Sequence, residues 1–137
     1  MEDDEADREI FSEAMEASGL NDRLNVEEVE RGEDALSRIL DTSRPPPSLV
    51  LLDAMLAGNL NGFEVLEAAK ADERARKIPI VMLTSSRREE DALRAYNSFA
   101  NAYVRKSTDF GFLIGFLASL DAFWFECVLL PDAIPAE

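Results

Sequence analysis

Three apolar runs in this chain each close on a reactive group: Asp53 after Leu49-Val50-Leu51-Leu52, Thr84 at the end of the run from Ile78, and Lys106 after Ala102-Tyr103-Val104-Arg105. Continuous apolar runs of this length read as strands covered on both faces of a parallel sheet. Ligands bind in the crevice outside the carboxyl ends of such strands, so a carboxylate, a hydroxyl and an ammonium would share one rim. A carboxylate there can act as a nucleophile toward a phosphoryl group. Phosphoryl transfer then needs charge neutralisation more than acid or base. Singly, each residue has a plainer reading: Asp53 as a helix cap, Thr84 as a turn hydroxyl, Lys106 as a solvated charge. The combination carries the argument.

The elements that would position these groups alternate along the chain. Asp3 or Asp4 can cap a first helix carrying Ile10, Phe11, Ala14 and Met15 at helical spacing, with Gly19 placed to end it. Leu24 to Val29 reads as a short strand, and Gly32 turns into a helix with Ala35, Leu36, Ile39 and Leu40. Arg44-Pro45-Pro46-Pro47 breaks the chain before the run that ends in Asp53. A loop from Ala54 to Asn61 leads to a helix opened by Gly62, with Phe63, Val65, Leu66 and Ala69. Ile78 to Thr84 is the next strand, Arg87 to Ser98 a charged helix, Ala102 to Arg105 a short strand, and Asp109 caps a last helix. This alternation implies right-handed crossovers and a parallel sheet.

Composition narrows the function. The chain has 137 residues, 47% of them hydrophobic, and a formal net charge of -14. It is long enough for one domain with a real core. Nucleic acid and anionic membranes are not expected partners, because phosphate binding rests on clustered Lys and Arg. The single Cys127 excludes an internal disulfide, and with no signal peptide the cytoplasm is the expected compartment. Phe110 to Leu130 approaches the length of a membrane span. Asp121 and Glu126 interrupt it, so a buried terminal helix is the expectation.

The order Glu2-Asp3, Asp53, Thr84-Ser85, Lys106 resembles the receiver domain of two-component response regulators, from the first residues to about Leu120. The resemblance implies an α/β, flavodoxin-like doubly wound parallel sheet over 1–120 and a C-terminal extension over 121–137. It also implies a phosphoacceptor signalling module, not a classical enzyme, that assists only its own phosphotransfer and dephosphorylation. By resemblance Asp53 is phosphorylated, and Lys106 and the Thr84 hydroxyl pair with phosphoryl oxygens. Glu2, Asp3, Asp53 and the backbone carbonyl of Met55 would hold Mg²⁺, a hard cation suited to oxygen ligands. Tyr103 matches the aromatic that reorients when the threonine moves, a two-state equilibrium biased by a new contact. Its plainer reading is a half-buried strand tyrosine.

Several positions depart from the family. Met55 and Ala57 stand where Asn and Pro are common, the following loop is one residue longer, and Phe99 replaces a common glycine. Ser107 stands where a proline, often cis, follows the lysine. A cis bond without proline costs about 3 kcal/mol, which favours trans. The largest departure is at the start, because only Met1 precedes Glu2 where the family has a central apolar strand. Losing four or so buried side chains forfeits about 6 to 12 kcal/mol at ~1.5 to 3 each, comparable with a domain's stability. Residues upstream of Met1, or another segment filling the slot, are therefore expected.

The last helix is too apolar for a simple surface element. Leu113, Phe116, Leu117, Leu120, Trp124 and Cys127 define one face, while Phe110, Ile114, Phe123 and Phe125 point elsewhere. A second apolar face needs a second partner. Asp121-Ala122-Phe123-Trp124-Phe125 and Leu129-Leu130-Pro131 resemble the extension of single-domain regulators that partner bacterial phytochrome kinases. That resemblance implies a sensor histidine kinase as partner and a homodimer through the last helix and tail. One rival is a receiver-like dimerisation or scaffold module that is never phosphorylated. Another is a haloacid dehalogenase type phosphatase, but that family needs a second Asp two residues after the first, where this chain has Met55.

Overall fold

The computed structural model describes residues 5–107 and 109–131 of the chain. They fall into two compact units, one spanning Val29–Lys106 and the other made of the described parts of 4–28 and 107–137.

The first unit holds the sheet. Strands β1 (Val50–Leu52), β2 (Ile80–Thr84) and β3 (Ala102–Arg105) are parallel in the order β1-β2-β3. Leu52 faces Met82 in register, and Thr84 faces Arg105. Asp53, Thr84 and Lys106 therefore stand at the same carboxyl edge. Every residue of β2 is buried, as its unbroken apolar run requires of a central strand. Around it pack Ile39, Leu52, Val65 and Leu66, which like its own Ile80 and Met82 do not reach solvent. Each contributes about 1.5 to 3 kcal/mol, where the same side chain on a surface contributes almost nothing.

Helix α3 (Gly32–Leu40) buries Ala35 and Ile39. Helix α4 (Gly62–Ala71) starts on a capping box, in which the Asn61 side chain accepts from the Glu64 N–H and Glu64 reaches back to the Asn61 N–H. Helix α5 (Glu89–Asn97) is tied to α4 by Arg94, whose guanidinium lies 4.5 Å over the Phe63 ring and 3.2 Å from Glu67. Lys70 fastens the approach to β2 by donating to the carbonyls of Arg76 and Ile78 and to Asn101 Oδ1. Burial pulls its amine below the ordinary lysine value.

Gly62 is where the helix passes closest to the strand end. A Cβ there would stand 1.9 Å from the carbonyl oxygen of Asp53 and 2.7 Å from Ala54 Cα. Both are backbone atoms, so neither yields by a rotamer change. Gly62→Ala is expected to cost at least about 1 to 3 kcal/mol, the range for forcing an extra methyl into a packed interior. A urea midpoint equal to that of the unsubstituted protein would refute the close approach.

The second unit is helical. Helix α1 (Glu5–Ser18) is followed at Gly19, in the left-handed conformation with φ 76°, by the short α2 (Leu20–Arg23). Ala14, Met15 and Leu20 pack with Leu113 and Leu117 of helix α6 (Phe110–Leu120), which Asp109 caps by accepting from the Gly111 N–H. The helix continues as a π-helical stretch, Asp121–Cys127.

Two expectations need correction. Leu24 to Val29 forms no strand: it is irregular, Val26 is 41% exposed, and the segment ends at a single parallel bridge from Arg31 to Ala57. A strand exists only as a member of a ladder, and among the described residues no strand lies beside this one. The last helix is also not a buried one. Leu113, Leu117 and Leu120 are buried, but Phe110, Phe123 and Cys127 are exposed. In the π-helical stretch each turn takes an extra residue, which moves Cys127 off the line of Leu113 and Leu120. Phe110–Cys127 is long and apolar enough to cross a membrane by length and composition, and 17% of it is buried. The peptide bonds among the described residues, including Lys106–Ser107, are trans.

Candidate functional site

Asp53 and Lys106 meet. Lys106 Nζ lies 3.0 Å from Asp53 Oδ2, and both side chains are only 6% exposed. Backbone bonds set the geometry from both ends. The Lys106 N–H donates to the Thr84 carbonyl at 2.7 Å, extending the β2–β3 ladder one residue beyond β3, and the Met55 N–H donates to Asp53 Oδ1 at 2.7 Å. Each oxygen of this buried carboxylate is thus engaged, as a buried charge requires.

Thr84 is 1% exposed. Its Oγ1 accepts from the Ser86 N–H at 3.2 Å, leaving the hydroxyl proton to be aimed elsewhere. Sequence reading passed over Ser86 and Asp91, which join it. Ser86 Oγ donates to Asp91 Oδ2 at 2.6 Å and accepts from the Arg88 N–H at 3.2 Å. The available signal was a serine two residues after Thr84 and an acid in the first turn of α5, within a run of charged residues.

Tyr103 is half-buried in β3, and its hydroxyl is buried without a hydrogen bond. Burial pushes its pKa above the usual 10.0; the Ser86 hydroxyl offsets this in part, although no hydrogen bond of ordinary geometry joins the two. A phenol raised in the folded state adds stability that is fully present below the unfolded value and is lost as pH rises through the folded one. In a Tyr96→Phe protein, where Tyr103 is the remaining tyrosine, the midpoint of the rise in phenolate absorbance should therefore lie above pH 10.0. A midpoint at or below that pH would refute the burial.

The loop after Asp53 is held by the turn before α3. The Gly32 N–H donates to the Ala57 carbonyl at 3.0 Å, and the Asn59 N–H donates to Glu33 Oε2 at 3.0 Å. Glu33 also pairs with Arg31. Its own backbone N–H first, and Arg31 next, hold its carboxyl below the usual 4.5. Met55 stands out from this loop, 65% exposed. Glu2 and Asp3 lie outside the described residues, and among the described ones no group of three or more His, Cys, Asp or Glu side chains gathers.

A buried Asp–Lys pair at the carboxyl edge of a parallel sheet, with a buried threonine on the next strand, is an arrangement that a family can be tested against. The response regulator receiver domain model matches residues 1–117. This chain belongs to that family. The receiver fold is a doubly wound α/β sheet with strand order 2-1-3-4-5, and β1-β2-β3 take the places of strands 3, 4 and 5. A receiver is a phosphoacceptor signalling module of two-component systems and not a classical enzyme. The response regulator Rcp1 of Synechocystis is 31% identical over 137 residues, covering 97% of this chain and 91% of that protein. Among solved structures, the phosphorylated cyanobacterial phytochrome response regulator RcpA superposes with a TM-score of 0.83 at 29% identity, covering 96% of this receiver and 94% of that chain. The Mn²⁺-bound form of Rcp1 superposes with a TM-score of 0.77 at 28% identity, covering 96% and 95%.

Proposed function

We propose that this receiver is a single-domain response regulator that takes a phosphoryl group onto Asp53 from a phosphohistidine of a sensor histidine kinase, of phytochrome type. The observation that carries this reading is the buried Asp53–Lys106 pair at the strand ends. An Asp53 carboxylate oxygen attacks phosphorus, the phosphorus–nitrogen bond breaks, and its electron pair returns to the kinase imidazole. Lys106 neutralises a phosphoryl oxygen as a point charge, and the Thr84 hydroxyl donates to another. Tyr103 follows Thr84 as the second part of the switch.

Mg²⁺ is the metal of this reading, held by Glu2, Asp3, Asp53 and the Met55 carbonyl. Carboxylate and carbonyl oxygens are the donors a hard cation takes, and the Met55 N–H already fixes the side of Asp53 that faces its loop. When bound, the ion neutralises crowded carboxylates and phosphoryl oxygens. The output is a protein contact in the cytoplasm, with no role for nucleic acid or membrane. The exposed Phe110 and Phe123 support a homodimer through α6 and the 121–137 extension.

Incubation with acetyl phosphate and Mg²⁺ should retard the protein on a phosphate-affinity gel, and a chelator should abolish the shift. An unmodified protein would favour the scaffold reading, in which this receiver dimerises without phosphorylation. Light scattering should give twice the monomer mass; a monomer at high concentration would refute the dimer alone.

A further inference from the structure

We propose that Glu33 is a positioning residue for the Asp53 site: its carboxylate tethers the loop after Asp53 to the start of α3 and so holds the Met55 carbonyl in place for a divalent cation. The inference rests on the Mg²⁺ reading above and names a residue that serves it from outside the ligand set.

The loop has little of its own to fix it. Ala57 leaves free the φ that a proline would set, and Gly58 stands at φ 91°, a left-handed position open to glycine. Met55 is 65% exposed, so its side chain gives the loop little packing. The restraints are hydrogen bonds on either side of Met55. Before it, the Ala54 carbonyl accepts the Gly62 N–H at 2.9 Å. Beyond it, the Ala57 carbonyl accepts the Gly32 N–H, and Glu33 Oε2 accepts the Asn59 N–H at 3.0 Å.

Glu33 itself is held in place. Arg31 Nε donates to its other oxygen, Oε1, at 2.9 Å, and Arg31 also forms the parallel bridge to Ala57. One carboxylate oxygen is thus fixed to the turn before α3 and the other to the loop. The approach is close, since a Cβ at Gly58 would stand 2.7 Å from Oε1 and nearer still to Oε2. A cation that takes the Met55 carbonyl needs it in one position. A loop ordered beforehand need not be ordered on binding, which strengthens the binding.

Mn²⁺ takes the same carboxylate and carbonyl oxygens as Mg²⁺, and the paramagnetic resonance signal of the free ion falls as it binds. Mn²⁺ alone is therefore the probe, with no phosphoryl donor present. Site binding is the part that Asp53→Asn loses, because a chain of net charge -14 collects cations elsewhere too. Glu33→Ala should weaken it about three- to tenfold, the range one hydrogen bond supports. Gly58→Ala, whose methyl displaces the Glu33 carboxylate, should weaken it in the same direction with no change of charge. Glu33→Gln keeps an acceptor for the Asn59 N–H; it should lose less, and serves if the alanine variant fails to fold. Asp34→Ala removes the same charge from the next, exposed position and should bind as the unsubstituted protein does. Titrations run well below each melting temperature, where a merely structural residue would leave affinity unchanged. Unchanged binding in either Glu33→Ala or Gly58→Ala, or an equal loss in Asp34→Ala, overturns the tether alone. An unsubstituted protein that binds no more Mn²⁺ than Asp53→Asn overturns the Mg²⁺ reading, and the tether with it.

Discussion

Replacing Asp53 with Asn is expected to abolish modification by acetyl phosphate completely, not merely to slow it. The amide offers no anionic oxygen to attack phosphorus. The substitution should also carry a measurable stability cost. Asp53 Oδ1 accepts from the Met55 N–H and Oδ2 from Lys106 Nζ, and an asparagine has one acceptor oxygen for these two donors. Whichever way the amide turns, one donor faces an NH₂ group. A cost of about 1 to 3 kcal/mol follows for the buried group left unpaired. Gel retardation and urea unfolding of the same preparation separate the two effects. A retarded Asp53→Asn protein would place the acceptor elsewhere.

Lys106→Met is expected to produce the largest loss of stability of any substitution at the site. Methionine has much the length and apolar bulk of the lysine stem but leaves Asp53, 5% exposed, without its ammonium. Breaking a buried ion pair from one side costs about 3 to 5 kcal/mol, because the remaining charge is neither solvated nor compensated. The double variant Asp53→Asn with Lys106→Met should recover part of that loss, since an amide needs no counter-ion. Urea midpoints for the four proteins of this cycle measure the coupling directly. A double variant as unstable as the sum of the two singles would mean that the pair contributes nothing as a pair. Residual phosphorylation in Lys106→Met should be slow, because the transferred group then lacks a fixed positive charge.

Much of the sheet was legible in the sequence because β2 is buried throughout and β1 nearly so. Leu49 to Leu52 and Ile78 to Leu83 are short apolar runs bounded by polar residues, a length that favours a buried strand over a helix. Leu24 to Val29 misled for a related reason. Its Leu24, Val26 and Val29 suit a strand, but pairing depends on a neighbour that local sequence does not encode. Gly62 does open its helix, as its place after the loop suggested, and Asn61 and Glu64 add a capping box that fixes that start.

The site was legible at the residues whose types are unusual for their places, Asp53 and Lys106 above all. Ser86, Asp91 and Tyr96 were not, because a serine, an acid on a charged helix and an exposed tyrosine are ordinary until a structure shows what each one meets. The apolar excess of the last helix was visible, but its change of period after Leu120 was not, since a π-helical turn leaves no fixed sequence mark.

The hydroxyl of Tyr96 accepts the Tyr103 N–H at 3.1 Å. β3 is the last strand of the described sheet, and the Tyr103 N–H that Tyr96 covers is a donor on its outer border. Uncovered donors along such a border are templates on which a foreign strand can add. Tyr96 thus satisfies that donor within the chain, so the border offers one fewer unpaired N–H to a foreign strand.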